Sequence, residues 1–192
     1  GLLPAGFSAE HLGTNDYFYW DDFWGVAGLY AAADMAAGWG DDEHAETFRK
    51  HARDFMDAIE KSIARSRPGR DRLGVPASPH RRMDAGAIGS ICVGYPLQLW
   101  PATDQRLLNT VHFLVERCFY RNGFFQDMIH SGVNAYLSMH VAQVLLRAGD
   151  RKFLDILEAI AEMASPTGQW PEAIHPRTDG GCMGDGQHTW AA

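Results

Sequence analysis

DFWGVAGLYAAADMAA runs from Asp22 to Ala37; after Gly38-Trp39-Gly40-Asp41 comes DEHAETFRKHARDFMDAIEKSIARS, residues 42–66. The two segments have opposite patterns. The first is nearly free of charge and apolar or small on every side, which is the mark of a helix buried all round. The second sets Phe48, Ala52, Phe55, Met56, Ile59 and Ile63 on one stripe, with acids and bases opposite. That spacing predicts an amphipathic helix with one buried and one wet face. A buried helix, a four-residue turn and an amphipathic helix make a hairpin with an inside and an outside.

The pattern repeats along the chain. A second uncharged segment spans about Ala85 to Leu99, although its glycines and Pro96 disfavour helix. A third spans about Ser131 to Arg147, with Val133, Tyr136, Leu137, His140, Val141, Val144 and Leu145 at helical spacing. Amphipathic partners follow at residues 104–120, carrying Leu107, Leu108, Val111, Leu114, Val115 and Cys118, and at residues 151–164 behind a capping Asp150. Another inner helix is expected to begin near Gly186. No sustained period-two alternation marks a strand. The expectation is therefore an all-α fold, a partial double ring of inner and outer helices, with a generic bundle or solenoid as the alternative.

Connections from inner to outer helices are short. Those leading into inner helices are long and rich in aromatics, Gly, Pro and His: residues 1–20, 67–84, 121–130 and 165–185. In a ring these long loops share one rim, where sites are built. The chain has 192 residues, 46% hydrophobic and 21% charged, enough for one domain with a real core. Its formal net charge of −7, with no basic run, argues against nucleic acid and anionic membrane as partners. Three cysteines without a CxxC pair suggest thiols in a reducing, cytoplasmic setting. The uncharged stretch Ala85–Thr103 is too broken to span a membrane. The sequence opens at Gly1 and closes on Ala191-Ala192 inside an apparent helix, so we read it as a piece of a longer protein. Half a ring would leave apolar helix faces to pack on the rest of the parent chain or on a second copy.

Four rim segments could carry chemistry. Tyr17-Phe18-Tyr19-Trp20-Asp21-Asp22-Phe23-Trp24 joins six aromatics to paired carboxylates at the start of an inner helix. Tyr19, Trp20 and Trp24 could stack on sugar rings, and Asp21 or Asp22 could bind hydroxyls or move protons. The plainer reading is core anchors and a helix cap. Pro79-His80-Arg81-Arg82-Met83-Asp84 precedes the second inner helix; Asp84 is either its cap or a rim carboxylate helped by Arg81 or Arg82. His130 and Asn134 lead into the third, as sugar-hydroxyl contacts or satisfied structural groups. Trp170-Pro171-Glu172 through His175, followed by Gly180 to Trp190 with Gln187 and His188, holds one glutamate on a stiff loop beside an aromatic ring. That setting suits a carboxylate base; a surface turn is the alternative. Cys182, His175 and His188 have no recognised zinc spacing, and no metal or other cofactor is expected from the sequence. There is no G-x-S-x-G, phosphate-binding glycine loop or H-E-x-x-H.

Two of these segments resemble the (α/α)6-barrel glycoside hydrolases, which include trehalases, glucoamylases, processing α-glucosidases and the glucosidase half of glycogen-debranching enzymes. Tyr19-Trp20-Asp21-Asp22-Phe23-Trp24 looks like the aromatic-Trp-Asp segment that opens an inner helix there. Trp170-Pro171-Glu172 through Gly181-Cys182 to Gln187-His188-Thr189-Trp190 looks like the base-bearing loop. The resemblance implies an inverting hydrolase of an α-linked glucoside or similar carbohydrate, with Glu172 as general base and an aspartate as general acid, the carboxyls roughly 6.5–9.5 Å apart. In those families the acid lies three hairpins before the base, which here reaches Asp21 or Asp22. Asp84, in Arg82-Met83-Asp84-Ala85, resembles the acid segment of debranching enzymes but sits one hairpin later. In trehalases the Trp-Asp segment binds substrate instead. The competing expectations are a toroid that binds carbohydrate or a protein without catalysis, and a metal-dependent enzyme using Cys182 and His188.

Overall fold

The computed structural model describes residues 1–8, 14–66, 74–127, 131–184 and 186–189. Helix α1 is Tyr19–Gly38, α2 Asp42–Arg65, α3 Gln105–Arg117, α4 Ala135–Ala148 and α5 Lys152–Glu162. A 3-10 helix, Ala85–Val93, lies between α2 and α3. Each amphipathic segment forms a helix within about three residues of its expected ends. Asp41 accepts from His44 N at 3.1 Å, Asp104 from Arg106 N at 2.9 Å and Asn134 from Leu137 N at 2.8 Å, satisfying N-terminal amides of α2, α3 and α4. Gly149, left-handed at φ 78°, ends α4. Asp150 takes the Lys152 amide at 2.9 Å as α5 begins.

Three hairpins result. Helix α1 packs on α2, the 3-10 helix on α3, and α4 on α5; α1 and α4 both touch the 3-10 helix between them. All nine residues of the 3-10 helix are buried. Its Ala, Gly and Ser positions let three helices approach its backbone, while Ile88 and Ile91 fill the space that remains. The expected α-helix to Leu99 is corrected here: regular structure stops at Val93, after three-residue turns that suit small eclipsed side chains. Trp100 then packs edge-on against Phe23 at 5.7 Å and lies under the Arg106 guanidinium at 3.8 Å. Arg106 also pairs with Glu60 and, at 2.8 Å, with Asp104, tying α2 to α3.

Two further expectations are corrected. Helix α1 is not buried all round: Trp24, Gly28, Ala31 and Met35 form an exposed stripe, because α1 packs on α2 and the 3-10 helix along its other sides. The fold is also not purely helical. Five short antiparallel strands run in spatial order: β1 Phe119–Tyr120, β2 Gly123–Gln126, β3 Gly132–Val133, β4 Ala173–Ile174 and β5 Gly181–Met183. Strands of two to four residues are too short to show an alternating pattern. The β1–β2 hairpin turns through Arg121 and Asn122, both at positive φ (51° and 60°), as a two-residue primed turn requires. The expected inner helix near Gly186 extends beyond the described residues. Among the described residues no helix is long and apolar enough to cross a membrane.

Gly94 bounds the 3-10 helix where a Cβ would overlap Leu107 Cδ2 and lie 3.1 Å from Cδ1. Leu107 is 1% exposed and has nowhere to move. Gly94→Ala is expected to destabilise the fold by about 1–3 kcal/mol through overpacking, measured as a lower urea midpoint at unchanged slope.

Candidate functional site

The long connections meet at the end where α1, the 3-10 helix and α4 begin. Tyr19 N donates to Ala77 O at 3.0 Å, joining the start of α1 to the segment that leads into the 3-10 helix. Asp16 reinforces that joint: it accepts from Ser78 Oγ at 2.6 Å and Tyr17 N at 2.8 Å, and bonds His80 Nδ1 at 2.8 Å. Burial pushes its pKa up, but the bonds from Ser78, His80 and Tyr17 outweigh burial and hold it below the usual carboxylate range. On the other side Asn134 N donates to Phe124 O at 2.9 Å, and Phe124 N to Ser138 Oγ at 2.8 Å, fixing β2 on the first turn of α4. Strand β3 ends one residue before the Asn134 cap and pairs Val133 with Ile174 of β4. Glu172 is the residue just before β4.

Glu172 is half-buried. Its side chain lies directly against Gly184, which sits at φ 69°. A Cβ there would overlap the carboxylate and come 2.5 Å from Glu172 Cβ. Glycine is thus required twice, for backbone conformation and for clearance. Around it, Trp170 Nε1 donates to Ile160 O at 2.7 Å, and His188 N to Trp170 O at 2.8 Å. His175 closes the next turn, its N donating to Gly180 O at 2.8 Å and its Nδ1 accepting from Arg177 N at 3.2 Å.

The aromatic–carboxylate segment divides its roles. Tyr19, expected as a substrate contact, is corrected to a core residue: it is fully buried, its hydroxyl 3.0 Å from Ser62 Oγ and Ser66 Oγ. Asp22 is 1% exposed and accepts from Leu3 N at 2.9 Å, while its Oδ2 has no partner. Burial, with the nearby Asp21 charge adding to it, pushes its pKa up to about 6 against the single Leu3 bond. Asp21 is half-buried. Trp20 stacks on His140 (6.5 Å between centroids, 12° between planes) and lies 5.8 Å from Trp24, which is 42% exposed. Tyr136 and Tyr95 both meet the His140 ring edge-on, at 4.3 Å and 5.7 Å. The result is an aromatic wall from α1 to α4, open at Trp24.

Asp84 accepts from Gly86 N at 2.9 Å, as a cap of the 3-10 helix. Arg82 and Gln187 are exposed, and Arg81 lies over the Phe18 ring at 5.3 Å. Asn134 is 4% exposed and caps α4. His130 lies outside the described residues. Cys182 Sγ faces Ala173 O at 3.5 Å. Among the described residues no three His, Cys, Asp or Glu side chains are grouped to hold a metal ion. The chain matches no family model, no curated protein and no solved structure.

Two features escaped the reading of the sequence. Asp16 stands just before the aromatic run, where nothing in its neighbours distinguishes a buried joint from a turn residue. His140 fell on the apolar stripe of α4 and counted as core. It is 3% exposed with an unpartnered Nδ1, and burial pulls its pKa down to about 4.

Asp22 and His140 oppose one another in the pH dependence of stability. Between about pH 4 and 6 folded Asp22 keeps a proton that the unfolded chain releases, so its contribution falls as pH rises. Folded His140 lacks a proton that the unfolded chain binds between about pH 4 and 6.5, so its contribution grows as pH rises. Each slope is at most about 1.4 kcal/mol per pH unit. Asp22→Asn should therefore make stability climb with pH across this window, and His140→Phe should make it decline. Denaturant titrations at pH 4, 5 and 6 check both; parallel profiles for the two variants would refute the pairing.

Proposed function

We propose that the chain forms part of an (α/α)6-type toroid and is an inverting glycoside hydrolase acting on an α-linked glucoside or similar carbohydrate. The observation that carries this reading is the carboxylate of Glu172, held against Gly184 one residue from a strand that is laddered to the leading end of α4. Asp21, Asp22 and Asp84 belong to the leading ends of α1 and of the 3-10 helix, at the same end of the hairpins. The open aromatic wall at Trp20 and Trp24 offers a sugar ring a face to stack on.

In this mechanism Glu172 takes a proton from water, whose oxygen attacks the anomeric carbon from the face opposite the leaving group. An aspartate gives its proton to the glycosidic oxygen as the C–O bond breaks, and the configuration inverts. We assign the acid to the Asp21–Asp22 pair. Asp22 retains its proton to about pH 6 but is sealed from solvent, so Asp21, half-buried beside it, is the member a substrate can reach. Asp84 and Asn134 are engaged as helix caps, which favours a second reading: a carbohydrate-binding rim without turnover.

Release of reducing sugar from a panel of α-glucosides tests the proposal. Glu172→Gln is expected to lower kcat by roughly 10²–10⁴-fold, the usual worth of a general base. Gly184→Ala should lower it as well by displacing that carboxylate, with the far-ultraviolet circular dichroism unchanged. Turnover that survives in Glu172→Gln removes Glu172 from the chemistry. Saturable sugar binding without turnover in the unaltered protein supports the binding-only reading instead.

A further inference from the structure

A separate pocket of about 340 Å³ opens between the β1–β2 hairpin and the turn that follows β4. Its lining includes Phe119, Tyr120 and Phe125, of which Tyr120 and Phe125 share one face of the β1–β2 hairpin while the Phe119 ring packs on Phe124, together with Arg117, Arg177 and Asp127. The two sides are fastened to each other: Tyr120 OH donates to Pro176 O at 3.5 Å, and Arg121 pairs with Asp179 at 2.6 Å. A volume near the lower end of ligand pockets suits one small ring with a substituent.

The charges select the substituent. Arg117 and Arg177 are exposed, and neither guanidinium has an ion-pair partner among the described residues. In a chain of net charge −7, two arginines without an ion pair among the described residues line one aromatic pocket. With Asp127 in the same lining, one positive charge remains uncompensated, which matches a monoanion better than a dianion. The planar guanidinium fork matches the two oxygens of a carboxylate. Cys118 at the pocket floor is no nucleophile: burial first, then the charges of Asp127 and Asp84, push its thiol up to about 11. The pocket is built to bind, not to form a covalent bond.

We propose that this pocket is a binding site for a ring-bearing monocarboxylate, its ring against Tyr120 and Phe125 and its carboxylate on Arg117 and Arg177. The ring can belong to an aromatic acid or to a sugar acid. The proposal is independent of the hydrolase reading, since it uses neither Glu172 nor the aspartates of the hairpin ends.

Benzoate and glucuronate are the two probes, with benzyl alcohol and glucose as their neutral counterparts, titrated calorimetrically into the whole chain. At least one carboxylate should saturate, its neutral counterpart binding roughly tenfold weaker or less; which one saturates tells aromatic acid from sugar acid. Arg117→Gln and Arg177→Gln should each weaken binding by roughly tenfold. Arg147→Gln, the same charge change on α4 away from the pocket, should leave it unaltered. Circular dichroism and thermal midpoint should not change in these surface variants. The proposal is overturned if neither carboxylate binds, if the neutral compounds bind equally, or if inorganic phosphate competes as well as the carboxylate. Equal weakening by Arg147→Gln, or none by the pocket variants, overturns it too.

Discussion

The close packing of three helices around a nine-residue 3-10 helix is the constraint on which the remainder of the molecule rests. Ala85, Gly86, Ala87, Gly89 and Ser90 leave almost no side chain between its backbone and its neighbours. Helices α1, α3 and α4 therefore take their spacing from one short element. An α-helix of the same residues would be shorter and wider, and would push α1 from α4. Because α1 and α4 both lean on this spine, the segments leading into them are brought close enough to be joined by hydrogen bonds.

Two carboxylates six residues apart show how the balance of burial against local bonding sets their charge. Asp16 and Asp22 are both withdrawn from water. Asp16 has three partners and is held ionised; Asp22 has one amide and keeps its proton to about pH 6. The first acts as a fixed joint between α1 and the 74–80 segment. The second is a neutral acid at ordinary acidic pH, next to a half-exposed sibling.

Much of the architecture was legible because its signals are local and periodic. The stripes Phe48 to Ile63 and Leu107 to Cys118 each declare a helix without help from distant residues, and Asp150 marks the start of another. The sheet was not legible. Its strands owe their existence to partners up to about forty residues away, as Val133 to Ile174, and only the dipeptides Asn122-Gly123 and Asp179-Gly180 offered local turn signals. The conformation of Ala85–Val93 was likewise a matter of tertiary packing overriding helix preference. Within the site, Glu172 stood out by its setting between Trp-Pro and His-Pro. The core placement of Tyr19 could not be told from a binding role, since an aromatic ring serves either. His140 and the arginine pocket stayed hidden because their meaning lies in what faces them across the fold.

The ladder from β2 to β4 has an evolutionary consequence. Glu172 is indexed to α4 through a run of backbone bonds that involve no particular side chain. The tips at residues 121–122 and 175–180 lie outside that run. Insertions or deletions there can reshape the pocket between the two tips while the glutamate keeps its place on the ladder. Relatives of this chain should therefore vary most in length at those two tips and least between residues 171 and 174.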